Sequence, residues 1–158
     1  MSDQQAAAQQ DAPQPVFAMQ RIYLSDASFE APNSPDAFLM KEQPRVNVDL
    51  GTRHRQVNEI IYEVTVKITV TVTTGEKTAY LAEVQQSGAF HIEGIEGDAL
   101  EHTLGAFCPS SLFPYAREAI DNLIVKGGFP PLMLAPFNFD ALFAEKKKRE
   151  AQQGATTQ

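Results

Sequence analysis

Residues 59–74 read EIIYEVTVKITVTVTT. Ile60, Tyr62, Val64, Val66, Ile68, Val70 and Val72 are apolar at every even position up to 72, and every odd position but Ile61 is polar or charged. A strict period of two predicts a β-strand with one greasy face and one wet face. The turn residues Thr74-Gly75-Glu76-Lys77 lead into a second alternating run at 78–92. Its even face carries Tyr80, Ala82, Val84, Phe90 and Ile92, and its odd face Leu81, Glu83, Gln85 and His91. At about 3.4 Å per residue such a ribbon is about 50 Å long. Two further strands are predicted. Residues 16–26 begin apolar at successive positions (Val16, Phe17, Ala18, Met19), which predicts burial on both sides, and residues 45–50 place Val46, Val48 and Leu50 on one face. Between them, residues 29–44 hold Pro32, Pro35 and Pro44 and the apolar triplet Phe38-Leu39-Met40. This predicts a long crossover loop of the kind that often carries function.

Beyond residue 94 the period lengthens. Leu100, Leu104 and Phe107 form a short helical stripe. A stronger helix opens at Cys108-Pro109-Ser110-Ser111, runs to Lys126 and closes on Gly127-Gly128. The stretch FPPLMLAP (129–136) is irregular or extended. A last helix starts near Asn138, with Phe139, Leu142 and Phe143 at i, i+3 and i+4, and ends in the basic run Lys146-Lys147-Lys148-Arg149. Strands followed by helices predict an α+β layer: a four-stranded antiparallel sheet with helices packed on one face.

Composition narrows the picture at the ends and on the surface. Residues 1–15 (MSDQQAAAQQDAPQP) and 151–158 are polar and low in apolar content, so both are expected to be disordered tails around a body at 16–150. The net charge of -7 opposes non-specific contact with nucleic acid or anionic membrane and suits a basic partner. One cysteine forms no internal disulfide, no signal peptide or spanning segment is visible, and a cytoplasmic protein is expected.

Candidate chemistry is sparse. Cys108 at a helix N-terminus, with His54, His91 or His102 as base, is the one nucleophile to weigh, but its apolar neighbours Phe107 and Pro109 favour a buried thiol. His91, Glu93, Glu96 and Asp98 are the densest group of potential metal ligands, and they read more simply as a solvated strand end. Neither a phosphate-binding glycine loop nor a dinucleotide fingerprint occurs. No enzyme activity, metal or cofactor is expected. The basic run 146–149 fits a helix C-terminus better than a nucleic-acid site.

Several segments resemble one family in order along the body. They are QRIYLSDASFEAPNSP (20–35), YLAEVQQSGAF and IEGIEG (80–90 and 92–97), FCPSSLFPYAREAIDNLI (107–124) and PPLMLAPFNFDALF (130–143). Together they resemble SecB, the bacterial protein-export chaperone family. The resemblance implies an ATP-independent holdase. It would act as a homotetramer, a dimer of dimers, keeping precursor proteins unfolded and delivering them to the SecA motor. By motif position, Asp26, Glu30, Leu81 and Glu83 would contact SecA on a flat, acidic odd face. Tyr80, Ala82, Val84 and Gln86, on the apolar face, would control assembly. Clients would lie in one groove lined by Phe38, Leu39, Met40, Val46, Val48 and Leu50, with Phe137, Phe139 and Leu142 opposite. For Phe139 and Leu142, core packing competes with client contact. Two departures stand out: the crossover loop lacks the tryptophan that family members carry before Gln43-Pro44, and the C-terminal region is basic and then polar rather than acidic. The alternatives are a SecB-like chaperone for a non-export client and a small-molecule carrier of the same fold.

Overall fold

β-Branched residues in strict alternation fill a pleated, one-sided strand, and here they build a single sheet. A computed structural model describes residues 12–156. Strands β1 (Val16–Glu30), β2 (Arg45–Gln56), β3 (Ile61–Thr74) and β4 (Lys77–Glu93) pair antiparallel in the order β1-β4-β3-β2. The chain therefore crosses from one edge of the sheet to the other between β1 and β2. That crossover holds a short 3-10 turn (Asp36–Leu39) and is tied to the β3–β4 hairpin by the Asn33 side-chain amide, which donates to the Thr78 carbonyl at 2.8 Å.

The even face of β3 and β4 is the core. Val64, Val66, Ile68, Val70, Ala82, Val84 and Phe90 are fully buried. Across them lies helix α2 (Cys108–Lys126), with Leu112, Ala116, Ile120 and Ile124 also fully buried. These four stand one turn apart, so one helix stripe covers one sheet face. Helix α1 (Gly97–His102) and a π-helical turn (Thr103–Phe107) run without a break into α2, whose first turn holds Pro109. At the other end Gly127 is required by packing: a Cβ there would stand 2.1 Å from the Phe29 ring of β1. Gly128 then takes φ +88°, the left-handed turn that stops the helix. Residues 129–136 return along α2, because the Asp121 carboxylate accepts the N–H groups of Leu132 (3.0 Å) and Met133 (3.2 Å). Helix α3 (Phe139–Thr156) follows, started by the Asn138 side chain, which accepts the Ala141 N–H at 3.0 Å.

Four expectations change. Strand β1, expected to end at residue 26, continues to Glu30. Val16, Phe17 and Met19 are not buried on both sides; each is more than a third exposed, because β1 is an edge strand and paired only with β4. Strand β2 continues past residue 50 to Gln56, since polar residues on an edge strand face water and still pair with β3. The polar end expected to fray from 151 is helical to Thr156, as its alanines and glutamines are good helix formers. Residues 1–11 of the expected N-terminal tail, and 157–158, lie outside the described residues.

Candidate functional site

Two depressions flank β2, one on each side of its midpoint. The first has a volume of about 280 Å³ and is built where the crossover loop meets the extended segment after α2. Met40 and Val46 line it from one side and Phe129 and Leu132 from the other, over Val72 and Tyr80 of the sheet. Its wall is an aromatic stack. Tyr80 lies 5.7 Å from Phe29 and 4.7 Å from Phe129, and Phe129 lies 5.0 Å from Phe38, between ring centroids. Phe38 is half exposed at the end of this stack. The stack supplies aromatic surface in a loop that has no tryptophan. Burial, and then the nearby Asp121 carboxylate, push the Tyr80 phenol up to about 12, so its ring stays neutral at any physiological pH.

The second depression, about 490 Å³, lies between β2 and α3. Leu50 and Thr52 of β2 face Phe139, Leu142 and Phe143 of α3 across it. α3 is seated on the π-helical turn through Gly105: a Cβ there would meet the Phe143 ring at 2.5 Å. Around that seat, Asp140 pairs with His102 at 2.6 Å, and Lys147 pairs with Glu101 at 2.5 Å.

The single groove expected between the crossover loop and the last helix is thus two grooves. Phe38 and Met40 meet the segment after α2, not α3, because the crossover loop approaches the hairpin end of the sheet. Of the expected lining, Met40 and Val46 belong to the first groove, and Leu50, Phe139 and Leu142 to the second. Val48 is half-buried against the core between them. Leu39 stands 79% exposed and lines neither groove. Phe139 is only 4% exposed and, with Phe137, packs edge-on against Phe113. These two rings are an anchor for α3 rather than free contact surface. Phe129, Leu132 and Phe143 were not predicted as lining. Their signal was the apolar but helix-breaking stretch at 129–136 and the i+4 partner of Phe139.

The wet face of the sheet brings Asp26, Glu30, Leu81 and Glu83 together. Glu30 is directly opposite Leu81, Asp26 opposite Gln85, and Ser28 opposite Glu83, so all share one face. Leu81 is half-buried, and the Glu83 carboxylate accepts from Thr69 Oγ1 at 3.0 Å and lies 3.6 Å from Lys67 Nζ. The face is not uniformly acidic. Asp26, Glu30, Glu83 and Asp49 cluster toward one end together with Lys67 and Arg45, while Arg21, Arg53 and Arg55 share the rows nearer the other with Glu63. Beneath its middle, Ser25, Ser87 and Thr65 form a hydroxyl chain at 2.9 and 2.7 Å, with Ser87 and Thr65 buried. Next to it, the Tyr23 hydroxyl donates to Glu63, which also accepts from Arg55 Nε at 2.8 Å.

Tyr80, Ala82, Val84 and Gln86 lie under the chain's own helix α2, each 5% exposed or less. Within the single chain, α2 and the rings of Phe29 and Phe129 cover this face. Cys108 is fully buried, and burial pushes its thiol up to about 12, which favours the neutral thiol. His91 pairs with Glu93 alone, and no three His, Cys, Asp or Glu side chains gather to hold a metal among the described residues.

A family model described as preprotein translocase subunit SecB matches residues 9–150. The chain belongs to the SecB family. The protein-export protein SecB of Chromohalobacter salexigens is 58% identical over 138 residues, covering 86% of this chain and 84% of that protein. SecB of Marinobacter nauticus is 54% identical over 153 residues, covering 97% and 93%. Among solved structures, the fold is similar to the Mycobacterium tuberculosis Rv1957 SecB-like chaperone, in complex with a ChAD peptide from the Rv1956 HigA1 antitoxin. The TM-score is 0.63 at 16% identity, over 77% of this chain and 90% of that one. The four-stranded antiparallel sheet with helices on one face is therefore the fold of this family.

Proposed function

We infer that this SecB-family chain is a protein-export chaperone that holds precursor proteins unfolded in the cytoplasm without nucleotide and passes them to SecA. The observation that carries the reading is the pair of apolar grooves beside β2. Phe38, Val46 and Leu142, at or beside their rims, are 50%, 49% and 42% exposed, surface that a folded monomer leaves in water at a cost. Rings and a methionine that can repack suit many sequences, and no charged pair in the first groove demands a particular one. The family chemistry is binding rather than catalysis, and the buried Cys108 agrees with that.

Assembly as a homotetramer is supported by a second set of exposed apolar residues. Val16, Phe17, Met19 and Leu24 stand on the open edge strand β1, and Tyr115 and Val125 on the outer side of α2. Tyr80, Ala82, Val84 and Gln86 would influence assembly only by setting how α2 sits on the sheet. The acidic end of the wet face, with Asp26, Glu30, Leu81 and Glu83, is the surface proposed for SecA: it offers an apolar contact ringed by carboxylates to a basic partner. Among the described residues no helix is long and apolar enough to cross a membrane.

The test is a refolding assay. A slowly folding precursor diluted from denaturant with an equimolar amount of this protein, and no nucleotide, should refold several-fold more slowly than alone, while the native precursor is not unfolded. An unchanged refolding rate contradicts the holdase reading.

A further inference from the structure

The acidic end of the wet face has a cation in its midst. Lys67 of β3 lies in the row Gly51, Lys67, Gln85, Asp26, and the next row toward the crossover is Asp49, Thr69, Glu83, Ser28. Glu83 is shared between two neighbours. Its Oε2 accepts from Thr69 Oγ1 at 3.0 Å, and its Oε1 lies 3.6 Å from Lys67 Nζ, too long for a direct hydrogen bond. The lysine side chain is 46% exposed and the carboxylate side chain 26%. An ion pair this open contributes little and is readily exchanged. The lysine also has somewhere to go. Directly across the ladder from it stands Gly51, where an added Cβ would meet nothing within 4 Å. Asp49 follows on the same face of β2; its carboxylate accepts from the Asn47 amide at 3.2 Å and makes no ion pair among the described residues. The other cations of this face of β2 near Asp49, Arg45 and Arg53, stand four residues to either side of it, about 14 Å along the strand.

We propose that Lys67 is a built-in competitor of the docking partner: it occupies the Glu83 carboxylate in the free chain and yields it to a lysine or arginine of SecA, turning over Gly51 toward Asp49. This deepens the docking surface proposed above and rests on it. Thr69 holds the other carboxylate oxygen throughout, so the exchange needs one lysine side chain to rotate and no movement of the sheet. A partner that brings no cation leaves Lys67 in place and meets a surface whose charge is partly neutralised, which sets weak partners apart from a basic one. Displacing the lysine also lowers the affinity for the right partner, and a surface that must let its partner go again is served by that.

Titration calorimetry of SecA against the full-length protein tests this through a cycle of Lys67→Gln and Glu83→Gln, singly and together. Lys67 is exposed on the wet face, so its substitution leaves the fold intact, which circular dichroism and thermal melting check. Lys67→Gln is expected to tighten SecA binding about two- to fivefold at low salt, a gain that shrinks as salt is raised. Lys67→Arg keeps the charge and should stay within about twofold of the parent. With Glu83→Gln already in place, the gain from Lys67→Gln should largely vanish, because no carboxylate is left to contest. Lys67→Gln that binds SecA no better than the parent overturns the proposal. A gain equally large with and without Glu83 overturns it too, since Lys67 would then only repel the partner. If the parent protein itself does not bind SecA, the docking surface falls and this inference with it.

Discussion

Tyr23 and Glu63 meet on the wet face of the sheet, and their titrations are tied together. The Tyr23 hydroxyl and the Arg55 guanidinium both donate to Glu63, which holds its carboxyl below the usual carboxylate range. Burial, and then the Glu63 hydrogen bond, push the Tyr23 phenol up to about 12. A depressed carboxylate stabilises the fold above its unfolded pKa of about 4.3, and that contribution is lost as pH falls through the folded value. A raised phenol stabilises the fold fully below its unfolded pKa of about 10, and that contribution is lost as pH climbs toward 12. Tyr23→Phe is expected to cost about 1 kcal/mol in urea unfolding at neutral pH and to flatten the alkaline fall in stability. Glu63→Gln should instead flatten the acid fall. A Tyr23→Phe protein whose stability falls in parallel with the parent above pH 10 would put the alkaline limb elsewhere. None of this was legible in the sequence. Thr65 read simply as a polar position on a wet face, Tyr23, Ser25 and Ser87 carried no signal, and the β1 bulges near residues 20 and 25 that flank them follow no local pattern.

At the scale of elements, the strands and α2 followed from patterning because one period decides each of them. Val64 to Val72 and Leu112 to Ile124 each bury one stripe, and the two stripes cover each other. The grooves were legible only in part. Exposed apolar residues in the crossover loop pointed to a binding surface, but which element they face depends on strand order, and β1 lying beyond β4 is invisible in a local pattern. Tyr80 came to notice only through the resemblance, as an assembly residue, and its place between the rings of Phe29 and Phe129 in the wall of the first groove carried no signal in the pattern. The two grooves should act as separate handholds on one client. Phe38→Ser and Leu142→Ser, both at exposed positions, are each expected to weaken capture of a long unfolded client about three- to tenfold, and together by more than either, since the client loses two tethered contacts. Surface plasmon resonance with an immobilised unfolded precursor measures this. Equal binding by both single variants and the parent would remove the grooves from the client path.

Over the whole molecule, the opposite faces of the sheet divide the work. The apolar face closes on α2 to make the fold, and the wet face is left charged, with Asp26, Glu30, Asp49 and Glu83 gathered toward the crossover end of the sheet. Asp26→Lys and Glu30→Lys act at exposed positions at the acidic end, so each should weaken SecA binding several-fold in titration calorimetry while client holding is unchanged. Glu83→Lys is more disruptive, because it also removes the partner of Lys67 and Thr69. SecA affinity unaltered by all three would move the docking surface elsewhere. The exposed apolar residues of β1 and the outer side of α2 call for a second protomer, and the grooves call for a client. Both demands meet in one experiment: native mass spectrometry of the full chain without nucleotide, alone and with a precursor presented unfolded or folded. A tetramer that captures the unfolded precursor and ignores its folded form is the predicted result. A monomer, or a tetramer indifferent to unfolded chains, would contradict it.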